Sequence, residues 1–132
     1  MKIGFVNGCF DVLHVGHIEM LEYAKSLCDH LVVAVDADTR VKAAKGRDRP
    51  FNTAKDRKRL LAALRTVNGT AEFSTDDELE DLVKRLSPDV MVVGSDWEGK
   101  KVIGSEYAKE LRFYRKIDGY STTKILEHSS NW

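Results

Sequence analysis

The chain reads as a small doubly wound α/β domain, Rossmann-like, with a mostly five-stranded parallel sheet. Three observations predict this. Short apolar runs rich in β-branched residues alternate with longer stretches of helical period, the pattern of parallel strands joined by right-handed crossovers. The runs are apolar at consecutive positions, as strands covered on both faces require. The length of 132 residues suits one domain. A chain of that size buries about two-thirds of its unfolded surface, enough for one core without staples.

The elements follow in order. Ile3 to Val6 is the first apolar run. Ile18, Leu21, Ala24 and Leu27 then recur at three-residue steps after Gly16 and His17, which predicts a helix. Leu31 to Val35 is the second strand, ended by Asp36 and Asp38, with Asp38 read as a helix cap. A lysine-rich loop with Lys42 and Lys45 follows. Leu60, Leu61, Ala63, Leu64 and Val67 mark a second helix with a basic outer face. Ala71 to Phe73 is a weaker strand. Leu79, Leu82, Val83 and Leu86 mark a third helix, with Thr75 or Asp76 as its N-cap. Val90 to Val93 is a strong strand and Leu111 to Tyr114 a weaker one. Ser121-Thr122-Thr123 opens a short helix ending near Glu127. Pro50 and Pro88 both fall where elements begin or end. Residues 1–132 form one domain, with 129–132 expected as a disordered tail.

Composition removes several classes of function. The 21 Lys+Arg balance the 21 Asp+Glu. Coating a nucleic acid or an anionic membrane needs a basic excess, so neither is an expected partner. A local basic patch is still allowed. No apolar stretch approaches the roughly 18 residues of a membrane span. The N-terminal apolar run is too short for a signal peptide. Cys9 and Cys28 are too few for a disulfide scaffold or a zinc site and read as small buried hydrophobes. A reducing cytoplasm is the expected setting.

In a doubly wound sheet the ligand sits beyond the carboxyl ends of the strands. After the first run comes Asn7-Gly8-Cys9-Phe10-Asp11-Val12-Leu13-His14-Val15-Gly16-His17. No GxGxxG dinucleotide fingerprint appears there. Two histidines flank one glycine where a helix starts. Helix N-termini present free N–H groups and attract phosphate. Gly16 lets a phosphate approach the backbone, and His14 and His17 add imidazole donors.

Gly8-Cys9-Phe10-Asp11 followed by His14-Val15-Gly16-His17 resembles the signature G-x-F-D-x-x-H-x-G-H of the cytidylyltransferase family of small nucleotidyltransferases. Gly94-Ser95-Asp96-Trp97-Glu98-Gly99-Lys100 resembles the segment after the fourth strand of bacterial glycerol-3-phosphate cytidylyltransferase. Gly119-Tyr120-Ser121-Thr122-Thr123-Lys124-Ile125 resembles the family's G-x-S-T-T-K-I motif. Two other segments, Lys45 to Asn52 and Ile103 to Glu106, look instead like the nucleotidyltransferase domain of bacterial ADP-heptose synthase. The family's Arg-Thr-Glu-Gly is replaced by Arg115-Lys116-Ile117-Asp118-Gly119, so Lys116 stands in the arginine's place without its planar fork.

The resemblance implies nucleotidyl transfer from CTP to an acceptor such as glycerol 3-phosphate, with release of pyrophosphate. The alternative is transfer from ATP to a sugar 1-phosphate. It implies His14, His17, Lys45 and Arg57 as catalytic residues. Gly8, Cys9, Phe10, Asp11, Gly16, Asp96, Lys116, Gly119, Ser121, Thr122 and Thr123 would bind the nucleotide, and Lys42 and Trp97 the acceptor. Asp11 is placed to hold a metal-bound water or to orient His17. Asp96 can take a ribose hydroxyl, a base amino group or a metal water, and Trp97 offers a stacking plane. Mg²⁺ is expected with the triphosphate, no direct protein ligand is assigned, and a homodimer is expected. No protein nucleophile is needed or evident, since neither cysteine has a base partner in its motif. Rival readings are a non-catalytic nucleotide-binding module on the same fold and a flavodoxin-like carrier or response regulator. The last pair lacks its flavin loop or aspartate cluster.

Overall fold

The computed structural model describes residues 1–115. Five parallel strands form one sheet in the order β3-β2-β1-β4-β5. They are β1 (Ile3–Gly8), β2 (His30–Asp36), β3 (Gly69–Phe73), β4 (Val90–Gly94) and β5 (Glu110–Tyr114). The helices are α1 (Val15–Ser26), α2 (Asp38–Lys45), α3 (Ala54–Ala62) and α4 (Asp76–Leu86). All five expected strands are present, lengthened at one end or both. Alternation along each strand sorts the core into two layers. Val6, Val33, Val35 and Val92 pack with Leu21 and Ala24 of α1 and with Ala54 and Leu61 of α3. Phe5, Ala34, Met91 and Val93 pack with Leu79 and Val83 of α4 and with Val102.

The strand order places the switch point between β1 and β4. β1 pairs with β2 along its whole length, from Ile3↔His30 to Gly8↔Val35. Its ladder with β4 covers only Gly4↔Val90 and Phe5↔Met91. Val6–Gly8 and Val92–Gly94 continue beyond that ladder, and a crevice opens where the topology reverses.

Three expectations change. The helix expected at Leu60 to Val67 begins earlier, at Ala54, capped by the Thr53 hydroxyl, which accepts the Asp56 N–H at 3.3 Å. It stops at Ala62. Leu64 and Val67 extend the helical-looking period because tight turns, with Val67 N–H donating to the Leu64 carbonyl, return both to the core. The lysine-rich loop is the helix α2. Asp38 does not cap that helix, whose N-cap is Ala37. Its carboxylate instead accepts the Ala54 N–H at 2.8 Å, at the start of α3. The α4 cap is Thr75, whose hydroxyl accepts from the Glu78 N–H at 3.1 Å.

Candidate active site

A cavity of about 570 Å³ opens at the carboxyl ends of β1, β2 and β4. That is within the range of small-molecule sites. It gathers Gly8, Cys9, Phe10, His14, Gly16, His17, Lys45, Asp96 and Trp97 from four separate stretches of sequence. Nine residues expected in a site are therefore brought together by the fold. Lys116, Gly119, Ser121, Thr122 and Thr123 lie outside the described residues.

The histidine wall of the cavity is built at α1. His14 is its N-cap, and the first turn carries no acidic residue to neutralise the helix dipole. The His14 backbone N–H donates to Nδ1 of His17 at 3.3 Å. With Nδ1 accepting, the proton of the neutral His17 ring sits on Nε2, which makes that atom a donor. The two imidazoles stack with ring centroids 3.7 Å apart, and the Phe10 ring lies 5.1 Å from His17. Phe10 is buried and adopts a left-handed φ of 50°. A non-glycine residue there is strained, and such strain concentrates at ligand-binding turns.

Lys45 lines the cavity from the last position of α2. Trp97 and Asp96 come from a single 3₁₀ turn after β4, and Trp97 lines the cavity while 46% exposed. Burial pushes the Cys9 thiol above its ordinary pKa despite the nearby cations Lys45 and Arg57. The thiol is therefore protonated at neutral pH, which agrees with a site that needs no protein nucleophile. Both cysteines are free and half-buried, and burial raises the Cys28 thiol too.

Three expected site residues do not reach the cavity. Arg57 is fully buried and spends its guanidinium on the protein. Nε donates to the Asn52 carbonyl at 3.0 Å, one Nη to the Cys9 carbonyl at 2.8 Å, and the other to Asp38 at 2.7 Å. It clamps the turn after β1 against α2 and α3, so it positions the site rather than touching a substrate. Asp11 is also fully buried. Its carboxylate accepts from Arg49 and from the Phe51 and Asn52 N–H groups, each at 2.8 Å. Burial alone would raise its pKa, but these three donors outweigh it and hold the carboxyl below the usual range. Asp11 fastens the 49–52 loop and does not line the cavity. Lys42 is exposed on α2 and is absent from the lining.

The cavity also has walls the motifs did not mark. Asp36 and Arg40 face it from the end of β2 and from α2, and Leu79, Val102, Ile103 and Tyr114 complete it. Asp36, the last residue of β2, and Arg40 in the first turn of α2 form an ion pair at 3.5 Å.

An α/β sheet whose switch-point crevice holds an uncompensated helix N-terminus, two imidazoles and a lysine defines a nucleotide-binding domain of the nucleotidyltransferase class. The chain belongs to the cytidylyltransferase-like family, whose model matches residues 5–128. It is 49% identical over 126 residues to the bifunctional protein HldE of Sulfurimonas denitrificans and 48% identical to that of Nitratiruptor, in each case over 96% of this chain. Those matches cover 26% and 27% of the relatives, so the chain spans about a quarter of their length. A lipopolysaccharide core biosynthesis protein from Thermoplasma volcanium superimposes with a TM-score of 0.72 at 27% identity, over 89% of this chain and 99% of that one. The pantoate-beta-alanine ligase of Francisella tularensis shares the fold alone, with a TM-score of 0.54 at 16% identity over 98% of this chain and 69% of that one.

Proposed function

We propose that this chain transfers a nucleoside monophosphate from ATP to a phosphorylated sugar and releases pyrophosphate. The observation that carries the transfer is the pair of stacked imidazoles at the uncompensated N-terminus of α1, with Lys45 lining the same cavity. An acceptor phosphate oxygen attacks the α-phosphorus. One P–O bond forms, the bond to the β-phosphate oxygen breaks, and pyrophosphate leaves. His14, His17 and Lys45 bind the charge spread over the phosphate oxygens in the transition state.

For nucleotide and acceptor we take the alternative over the first expectation. Gly94 to Lys100 resembles the glycerol-phosphate enzymes, but the HldE relatives support the ATP and sugar-phosphate alternative. The segments 45–52 and 103–106 support the same side, and Ile103 lines the cavity. Among the described residues no cluster of three metal-ligating side chains occurs. Mg²⁺ binds through substrate phosphates and one or two carboxylates, and Asp96 is one carboxylate that lines the cavity and would take it. Bound there, the ion would neutralise phosphate charge. A homodimer and a cytoplasmic setting belong to the same proposal. No helix of the described residues is long and apolar enough to cross a membrane.

The deciding experiment is pyrophosphate release with ATP and CTP, each against sugar 1-phosphates, glycerol 3-phosphate and phosphonates. Turnover with ATP and a sugar phosphate is expected. Turnover only with CTP and glycerol 3-phosphate would restore the first expectation. Nucleotide binding without turnover on any acceptor would mark a non-catalytic module.

A further inference from the structure

The two-layer architecture divides the cavity into halves. His14, Gly16 and His17 belong to the α1 side of the sheet. Along β2, Val33 and Val35 face the α1 and α3 layer, whereas Ala34 faces the α4 layer. Asp36 therefore shares the α4 side with Ala34. There it lines the cavity with Arg40, Leu79, Val102 and Ile103. A triphosphate anchored at the N-terminus of α1 leaves this second half to the acceptor.

A carboxylate in a site that receives two polyanions calls for a reason, since it repels both. Arg40 does not cancel it outright. Its guanidinium is shared between Asp36 at 3.5 Å and Asp76 at 2.7 Å and lies 5.2 Å above the Phe73 ring. This arrangement fixes Asp36 in place, in a cavity whose lining also includes Leu79, Val102 and Ile103. Burial raises the Asp36 pKa, against the pull of Arg40, Arg57 and Lys45. An acceptor-only group suits hydroxyl donors and rejects phosphate.

We infer that Asp36 is the acceptor-specificity residue of this domain. Its carboxylate takes hydroxyl groups of a polyhydroxylated acceptor, whose phosphate is held on the α1 side by the histidines. The inference rests on the proposed transfer to a sugar phosphate and adds where the sugar lies and which residue reads it. Arg40 is a positioning residue that holds Asp36.

The test measures pyrophosphate release from ATP with hexose and heptose 1-phosphates, and with n-butyl phosphate as an acceptor without hydroxyls. Wild-type chain is compared with Asp36→Ala and Asp36→Asn. For Asp36→Ala, kcat/KM for sugar phosphate is expected to fall on the order of 10- to 100-fold, the usual scale for losing hydrogen bonds to a charged group. The preference for sugar phosphate over n-butyl phosphate should collapse with it, and the acceptor KM should move rather than the ATP KM. Asp36→Asn keeps a carbonyl oxygen and should lose less. An unchanged preference in both variants, or a rise in ATP KM that matches the acceptor effect, overturns the assignment of Asp36 alone. Wild-type chain inactive on every sugar phosphate overturns the proposed function, and this inference with it.

Discussion

The hydrogen bond from the His14 N–H to Nδ1 of His17 gives one side chain two tasks. It helps close the first turn of α1, and it sets Nε2 as the ring donor in the cavity. His17→Ala should lower kcat by about 10²- to 10³-fold, the usual cost of one transition-state donor. The helix-capping part of the change should cost only about 1 kcal/mol, so the melting curve stays cooperative. Turnover near that of wild type would sink the role given to His17. At this scale the sequence is legible where chemistry demands a rare pattern. HxGH at a strand end points to the residues that line the cavity, with His14, Gly16 and His17 among them. Asp11 and Arg57 show the limit: both belong to the recognisable stretches, and both face inward. A charged residue's type does not reveal whether its partner is a substrate or a backbone carbonyl.

Among elements, Arg57 is the hub. From α3 it reaches the Cys9 carbonyl after β1, the Asn52 carbonyl before α3, and Asp38 on α2. Arg57→Met should cost roughly 3 kcal/mol, the low end for breaking a buried pair, because Asp38 keeps part of its solvent contact. That corresponds to a fall of about 10 °C in Tm for a domain of this size. Differential scanning calorimetry checks it, and a shift of only a degree or two would refute the clamp. Strands were legible because β-branched runs buried on both faces have few alternatives. The start of α3 was less so. Its first turns are Lys55, Asp56, Lys58 and Arg59 around the buried Arg57, and no apolar period announces them. α2 hid for the same reason, with Val41 its one buried residue.

For the whole molecule, carboxylates shifted by the fold set the acid limit. Asp11 is held below the usual carboxylate range by Asn52, Phe51 and Arg49, and Asp89 by the Ile3 N–H and Lys109. A depressed folded pKa contributes stability above the unfolded value of about 4, and that stability is lost as pH falls through the folded value. Asp36, raised by burial, has the opposite sign and regains a part. Melting temperature should therefore drop as pH falls below about 4. Asp11→Asn should start from a lower Tm and show a flatter decline; a decline as steep as that of wild type would refute the assignment. The balance of 21 basic and 21 acidic residues says nothing of where each stands. The fold sends His14, His17 and Lys45 to one cavity and encloses Asp11 and Arg57. By itself the sequence determined the alternation of strands and helices, the parallel sheet and the histidine-rich turn, because these depend on local period and local residue type. Only the tertiary structure decided which charges meet the ligand and which lock loops, and it alone brought Asp36 opposite the histidines. Burial and partnership depend on residues distant in sequence, here the turn after β1 joined to α2 and α3.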